Sequence, residues 1–221
     1  MSRLTVGSIE GVTFDGLDVG NTSTSNSTMT ITSANNTSAI LDLIGDLSGT
    51  KGFRVKYEGN GNYFSILDNT SSVLTERFRI DANGYVTMPN QPSFHIKKES
   101  SEAVSAGAVI NFTNAVLNNG NHFNTTSGLF TAPVTGIYHF AARLLSPNDT
   151  TDVDTRFAIN GTIDSNYAGY GSTYSGHKLS VLIASVSLSA NDTLGVYSFG
   201  TDTYYGNATA GHSSFTGFLI G

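Results

Sequence analysis

Short runs in which apolar and polar residues alternate recur along most of the chain, and turn residues separate them. In residues 129–134, Phe130, Ala132 and Val134 alternate with Leu129, Thr131 and Pro133. After Gly136 a second run opens with Ile137, Tyr138, His139 and Phe140 and continues through Arg143 to Leu145. A period of two bounded by Gly, Asn and Pro predicts strands of antiparallel sheets. Pro133 is expected at a strand end, because it has no N–H to give to a ladder. No long stretch shows the apolar spacing of a helix, so the chain reads as all-β.

The same pattern divides the chain. Residues 1–38 form an extended attachment lead with scattered apolar positions, followed by the low-complexity run NTSTSNSTMTITSANNTS. Residues 39–90 carry a faster rhythm, in which AILDLIG, FRVKYEG, YFSILDN, RFRIDANG and YVTMP follow one another. Asn83-Gly84 between two apolar runs is a strong hairpin signal and ties Phe78 and Ile80 to Tyr85 and Val86. This small meander, or stem, buries too little apolar surface to be stable alone. Pro89 and Pro92 mark its end. Residues 91–221 then form a head, with strands expected at 93–98, 109–113, 128–132, 137–146, 155–160, 179–188, 193–199 and 215–220. Tight turns are expected at Asn160-Gly161 and at Ala190-Asn191-Asp192.

One stretch, FTNAVLNNGNHFNTTSGLFTAPVTGIYHF (residues 112–140), resembles the signature of C1q-like globular heads, relatives of the tumour necrosis factor jelly roll. Phe112, Asn118, Phe123, Phe130, Gly136, Tyr138 and Phe140 take the signature's positions in order, and Ala142 stands where the family has an aromatic residue. The ending FTGFLIG matches the family's closing strand, and Asn191 replaces the Gly of its Gly-Asp turn. The resemblance implies a C1q-like β-sandwich jelly roll in the head and a homotrimer. Residues 53–89, RFRIDANGYVTMP above all, resemble modules that precede the tips of tailed-phage fibres, and the opening MSRLTVGSIEGV is similar to the start of such virion proteins.

Composition narrows the function classes. The 221 residues include 24 Gly, 13% charged residues and no Cys, so no disulfide braces the fold and no thiolate serves as nucleophile or ligand. The net charge of -6, without a basic block, argues against nucleic acid as a partner. The opening residues lack the apolar core of a secretory leader, and no run reaches the roughly 18 apolar residues of a membrane span. Synthesis in a host cytoplasm is therefore expected, and the resemblance to virion proteins implies residence on a virion surface. Asn-x-Ser/Thr triplets recur, from Asn21 to Asn207, and read as a polar β surface.

Candidate chemistry is sparse. No nucleophile elbow or metal-binding His pair occurs, so the sequence marks no catalytic residue and no enzyme is expected. Asp149, Asp152 and Asp154 fall in one segment, SPNDTTDVDT, and clustered carboxylates can hold calcium, with Arg156 close enough in sequence to neutralise them instead. The aromatic residues are more informative. Tyr167, Tyr170 and Tyr174 in NYAGYGSTYSGH, with Tyr204 and Tyr205 in YSFGTDTYYGN, sit among Gly, Ser, Thr and Asn as in binding loops. They are the expected receptor contacts, and the few charges around them suit a neutral glycan. The expected protein is a non-enzymatic virion appendage, such as a phage fibre or a head or tail decoration protein. It joins other virion proteins through its N-terminus and attaches to host-surface glycan or protein through a trimeric head. The alternatives are a non-viral C1q-like carbohydrate-binding protein and a polysaccharide depolymerase.

Overall fold

The computed structural model describes residues 37–44, 52–70, 73–147, 153–174 and 176–221. These form two compact units that divide between Thr87 and Met88. The first is a five-stranded antiparallel meander: β1 (Ser38–Ile44), β2 (Gly52–Glu58), β3 (Tyr63–Thr70), β4 (Val73–Ile80) and β5 (Val86–Thr87), paired in chain order. The Asn83-Gly84 hairpin pairs Ile80 with Val86 and Arg79 with Thr87, and Gly84 takes the positive φ that the turn needs. Asp81 fixes this turn by accepting the N–H groups of Asn83 and Tyr85. Among the described residues of this unit only Ser65 is buried, while Leu43, Phe53, Tyr57, Val73 and Tyr85 are exposed. The described residues of the meander form no core.

The second unit holds β6 (Ser93–Lys97), β7 (Ser100–Val104), β8 (Asn114–Asn119), β9 (Phe123–Asn124), β10 (Leu129–Thr131), β11 (Gly136–Ser146), β12 (Asp154–Ile159), β13 (Thr162–Tyr174), β14 (His177–Leu188), β15 (Thr193–Ser198), β16 (Asp202–Asn207) and β17 (Ser214–Leu219). Strands β8-β6-β17-β11-β14 make one layer and β12-β15-β10-β9 the other. Strand β13 joins them: its first part pairs with β12, and Gly171 to Tyr174 pair with β14. β7 and β16 form a separate ribbon. The result is a jelly-roll sandwich, as the sequence predicts.

Its centre is aromatic. Phe94, Phe112, Phe123, Phe130, Tyr138, Phe140, Phe157 and Phe215 are all buried. Phe140 lies with its ring centroid 5.5 Å from that of Phe130 and 5.9 Å from those of Phe157 and Phe215. Gly217, on the closing strand β17, is the reason these rings fit: a Cβ there would stand 2.5 Å from Phe140 and 2.7 Å from Phe94. The Gly of FTGFLIG is thus a space requirement of the core. Ala142, also buried, pairs with Leu182 and Phe215, so Phe215 and its neighbours supply the bulk that an aromatic side chain would have given.

The signature's polar members have defined tasks. Asn118 donates to the Phe123 carbonyl at 2.8 Å and accepts the Phe123 N–H at 3.1 Å, which closes the β8–β9 connection as a backbone pair would. The Tyr138 hydroxyl donates to the Val134 carbonyl at 2.7 Å. Asn160 and Gly161 both have positive φ and make the two-residue turn from β12 to β13. Asn191, at φ 72°, does the work of the missing Gly.

Two sequence expectations are corrected, and one strand was missed. Residues 109–113 form no ladder strand: Val109 makes an isolated bridge to Tyr197, and the paired strand is β8. The Tyr-rich segments around 165–177 and 200–212 are not long loops, since β13 and the start of β14 occupy the first and β16 the second. β7 was not anticipated at all.

Candidate functional site

Two surfaces of the second unit stand out. The first is the outward face of the layer β8-β6-β17-β11-β14. Strict alternation sends one set of side chains to the core and leaves the other outside. Tyr138, Phe140, Ala142 and Leu144 point inward from β11, while Ile137, His139, Ala141 and Arg143 point outward. β14 does the same with Leu182 and Val186 inside and Val181, Ile183 and Ser185 outside. In register across the layer, Ala141 lies between Ile183 and Thr216, Thr216 faces His95, and His95 faces Leu117. The next row runs Ser185, His139, Phe218, Ser93. Ile183 is 61% exposed, and Val116, Leu117, Ile137, Val181, Phe218 and Ile220 are exposed with it. A groove of about 690 Å³ crosses this face between His95, Lys97, Val116, Arg143 and Ile183. A contiguous apolar sheet face of this kind marks an interaction surface.

The second surface surrounds Arg156. The buried guanidinium is held by both oxygens of Asp154, at 2.6 Å and 2.7 Å, and donates to the Tyr170 hydroxyl at 3.2 Å. It lies 4.6 Å from the ring centroid of Phe199 and 5.5 Å from that of Tyr170. Hydrogen bonding and charge from Asp154 raise the arginine's pKa further, so this cation is permanent. Tyr170 is 70% exposed and Phe199 52%. Two aromatic faces are thus held at the surface on one fixed cation, an arrangement that favours flat apolar or sugar-like partners.

The predicted tyrosines divide by position. Tyr170 is on the surface. Tyr167 is half-buried against the core, its ring 6.3 Å from Phe157. Tyr205 is half-buried with its ring edge-on to His212 at 4.9 Å. The side chain of Tyr174 lies outside the described residues. Tyr204 is a correction: it is wholly buried, and its hydroxyl lies 2.6 Å from Ser198 Oγ, which itself donates to the Gly200 carbonyl. It is a core residue that ties β16 to the end of β15. Phe199 was missed, because a single aromatic residue before Gly200 carries no periodic signal. The apolar outer face was missed too, although residues 179–188 are apolar at both phases of the alternation, the pattern of a strand buried on two sides.

Of the proposed calcium ligands, Asp149 and Asp152 lie outside the described residues, and Asp154 is engaged by Arg156. No group of three or more metal-binding side chains assembles among the described residues.

Comparison with known proteins fixes the family. The model of the C1q domain matches residues 93–220. This chain belongs to the C1q-domain family. Similar solved structures include the globular domain of zebrafish complement 1qA, 16% identical, covering 59% of this chain and 98% of that one with a TM-score of 0.48. The Eiger TNF of S. frugiperda is 14% identical, covering 60% of this chain and 94% of that one with a TM-score of 0.49. Murine APRIL is 16% identical, covering 58% and 98% with a TM-score of 0.46. No curated protein sequence matches the chain. C1q- and TNF-like domains are typically trimeric, typically bind partners and are typically non-enzymatic.

Tyr204 gives a pH prediction. Burial pushes its phenol up to about 12, above the ordinary value near 10. A raised folded-state value means that its contribution to stability is complete below about pH 10 and is lost as pH rises toward 12. The melting temperature of the parent should fall over that interval more steeply than that of Tyr204→Phe. Parallel curves for the two proteins would show that the phenol is not buried.

Proposed function

We propose that the chain is a non-enzymatic attachment protein of a virion, with a homotrimeric C1q-like head that binds host-surface glycan. The observation that carries the head's part is the apolar outer face of β8-β6-β17-β11-β14. Two further copies of the chain are its occupants: the C1q and TNF family is typically trimeric, and a closed cyclic assembly covers the same face on every protomer. The meander points the same way, since its described strands expose Leu43, Phe53, Tyr57 and Val73, which partner chains would bury. The resemblance of residues 53–89 to phage-fibre modules supports the virion setting, with the N-terminal residues attached to other virion proteins and the particle surface as its location.

Glycan contact falls to the Tyr170–Phe199 surface. Sugar rings stack on exposed aromatic faces, each contact is weak, and three copies gain by multivalency. Tyr170→Ala should leave a folded trimer and reduce binding of fluorescent protein to host cells about tenfold or more. Undiminished binding by a trimeric Tyr170→Ala protein would place the receptor contacts elsewhere. Loss of the trimer would make Tyr170 an interface residue. Release of reducing ends from host polysaccharide would favour the depolymerase instead.

A further inference from the structure

Asp154 and Arg156 lie two residues apart on β12, so their side chains leave the same face of the strand. On one side of β12, Tyr170 of β13 pairs with Asp154. On the other side β15 ends at Ser198, and the Phe199 N–H donates to the Asp154 carbonyl at 2.9 Å. The register therefore brings both aromatic residues to one ion pair. A guanidinium has five N–H groups. Nε donates to one oxygen of Asp154, and Nη2 donates to the other and to the Tyr170 hydroxyl. The N–H groups of Nη1 make no hydrogen bond among the described residues, and Nη1 is not one of their sealed, unpaired atoms. Both oxygens of Asp154 are thus engaged, while Arg156 keeps donors for a partner.

We infer that Asp154 sets the charge preference of the Tyr170–Phe199 surface: with its carboxylate on Arg156 the site takes uncharged sugars, and without that carboxylate it takes acidic ones. This rests on the glycan reading above. The ion pair is electrically neutral as a unit. Tyr170 and Phe199 stay exposed beside it and offer ring surface to a partner. The C–H face of a neutral sugar stacks there, and one of its hydroxyls accepts from Nη1. A sugar carboxylate or sulfate meets a different balance. On its way to Nη1 it approaches the Asp154 carboxylate, which shares the guanidinium, and like charges repel. To take the two-pronged position itself, it has to displace two charge-assisted bonds of 2.6 Å and 2.7 Å.

Asparagine at position 154 has nearly the same shape and no charge. Its amide oxygen accepts from one prong of the guanidinium, and its amide nitrogen accepts from neither. Arg156 is then a net cation, with part of its fork free, between two aromatic side chains. An acidic sugar gains charge-assisted hydrogen bonds to that fork, which correspond to about tenfold or more in affinity. A neutral sugar gains nothing comparable. The quantity that moves is the ratio of acidic to neutral binding, which a general loosening of the site does not shift.

The test is an array on which each neutral oligosaccharide stands beside its uronic-acid, sialylated or sulfated counterpart, probed with the fluorescent full chain. The parent is expected to bind neutral members, and their acidic counterparts about tenfold more weakly. Asp154→Asn is expected to raise the acidic-to-neutral ratio about tenfold or more, with a gain that fades at high salt. Asp154→Glu, which keeps the charge, is expected to retain the parent's preference, and D154N/R156Q, which removes the cation, to lose the gain. An unchanged ratio in Asp154→Asn, or a gain that persists in D154N/R156Q, overturns the inference. Near-UV circular dichroism checks the fold of each variant. Should Asp154→Asn not fold, the parent decides, and acidic counterparts bound as tightly as neutral members overturn the inference. A parent that binds no sugar of the array, or binds equally well as Tyr170→Ala, refutes the glycan reading of this surface itself, a result distinct from an unchanged ratio.

Discussion

Ile183→Arg should convert the trimer into a folded monomer. Ile183 is 61% exposed on the outer face and touches the groove that holds Arg143 and Lys97. In the separate protomer an arginine there meets solvent and leaves the core on the other side of β14 untouched. In the assembly it places a third cation per copy on a surface without carboxylates. Burying an unpaired cation in an apolar contact costs several kcal/mol, which corresponds to about a hundredfold or more in affinity at each interface. Sedimentation should show the change, while near-UV circular dichroism stays that of the parent. A trimer undisturbed by the substitution would show that another surface makes the contact.

Phe140→Ala should destabilise the head more than any surface change. The ring is fully buried among Phe94, Phe130, Tyr138, Phe157 and Phe215. Gly217 beneath it has no side chain to fill the space that opens. Truncating a buried Phe costs about 3–5 kcal/mol, a large part of the roughly 5–15 kcal/mol that holds a domain folded. The melting transition of the head should drop by about 10–20 °C. Phe218→Ala, one residue beyond Gly217 and facing outward, should leave the stability of the protomer nearly unchanged. Equal losses for the two substitutions would contradict the assignment of faces.

Much of this fold is legible in the sequence, for a local reason. Asn83-Gly84 and Asn160-Gly161 fix two hairpins because only such residues accept positive φ cheaply. The order of Phe112, Asn118, Phe123, Phe130, Gly136, Tyr138 and Phe140 identifies the family because five of these positions are rings of one aromatic centre. Residues 109–113 show how alternation misleads. Ile110 and Phe112 are both buried, but Ile110 N bonds to Val196 and Thr113 N to Lys97, on different strands, so the segment is extended without joining a ladder. The tyrosines illustrate a second limit. In DTYYGN nothing local states which Tyr enters the core, and the ribbon formed with β7 turns Tyr204 inward and leaves Tyr205 beside His212. The Gly, Ser and Asn of NYAGYGSTY suggest a loop, yet the segment is needed as the strand that joins both layers. The outer face is unreadable for a third reason: in the trimer proposed here it is covered only between chains.

The absence of cysteine allows a direct measurement of that face. Ile183→Cys and Tyr170→Cys each introduce a single thiol, one on the outer layer and one beside Arg156, both exposed in the separate protomer. Maleimide labelling at neutral pH and micromolar protein reads which of the two is covered in solution. The trimer proposed here predicts that the thiol at position 183 is protected until the assembly is dissociated, while the thiol at position 170 reacts at once. Labelling of position 183 as fast as position 170 in an intact trimer would contradict the account.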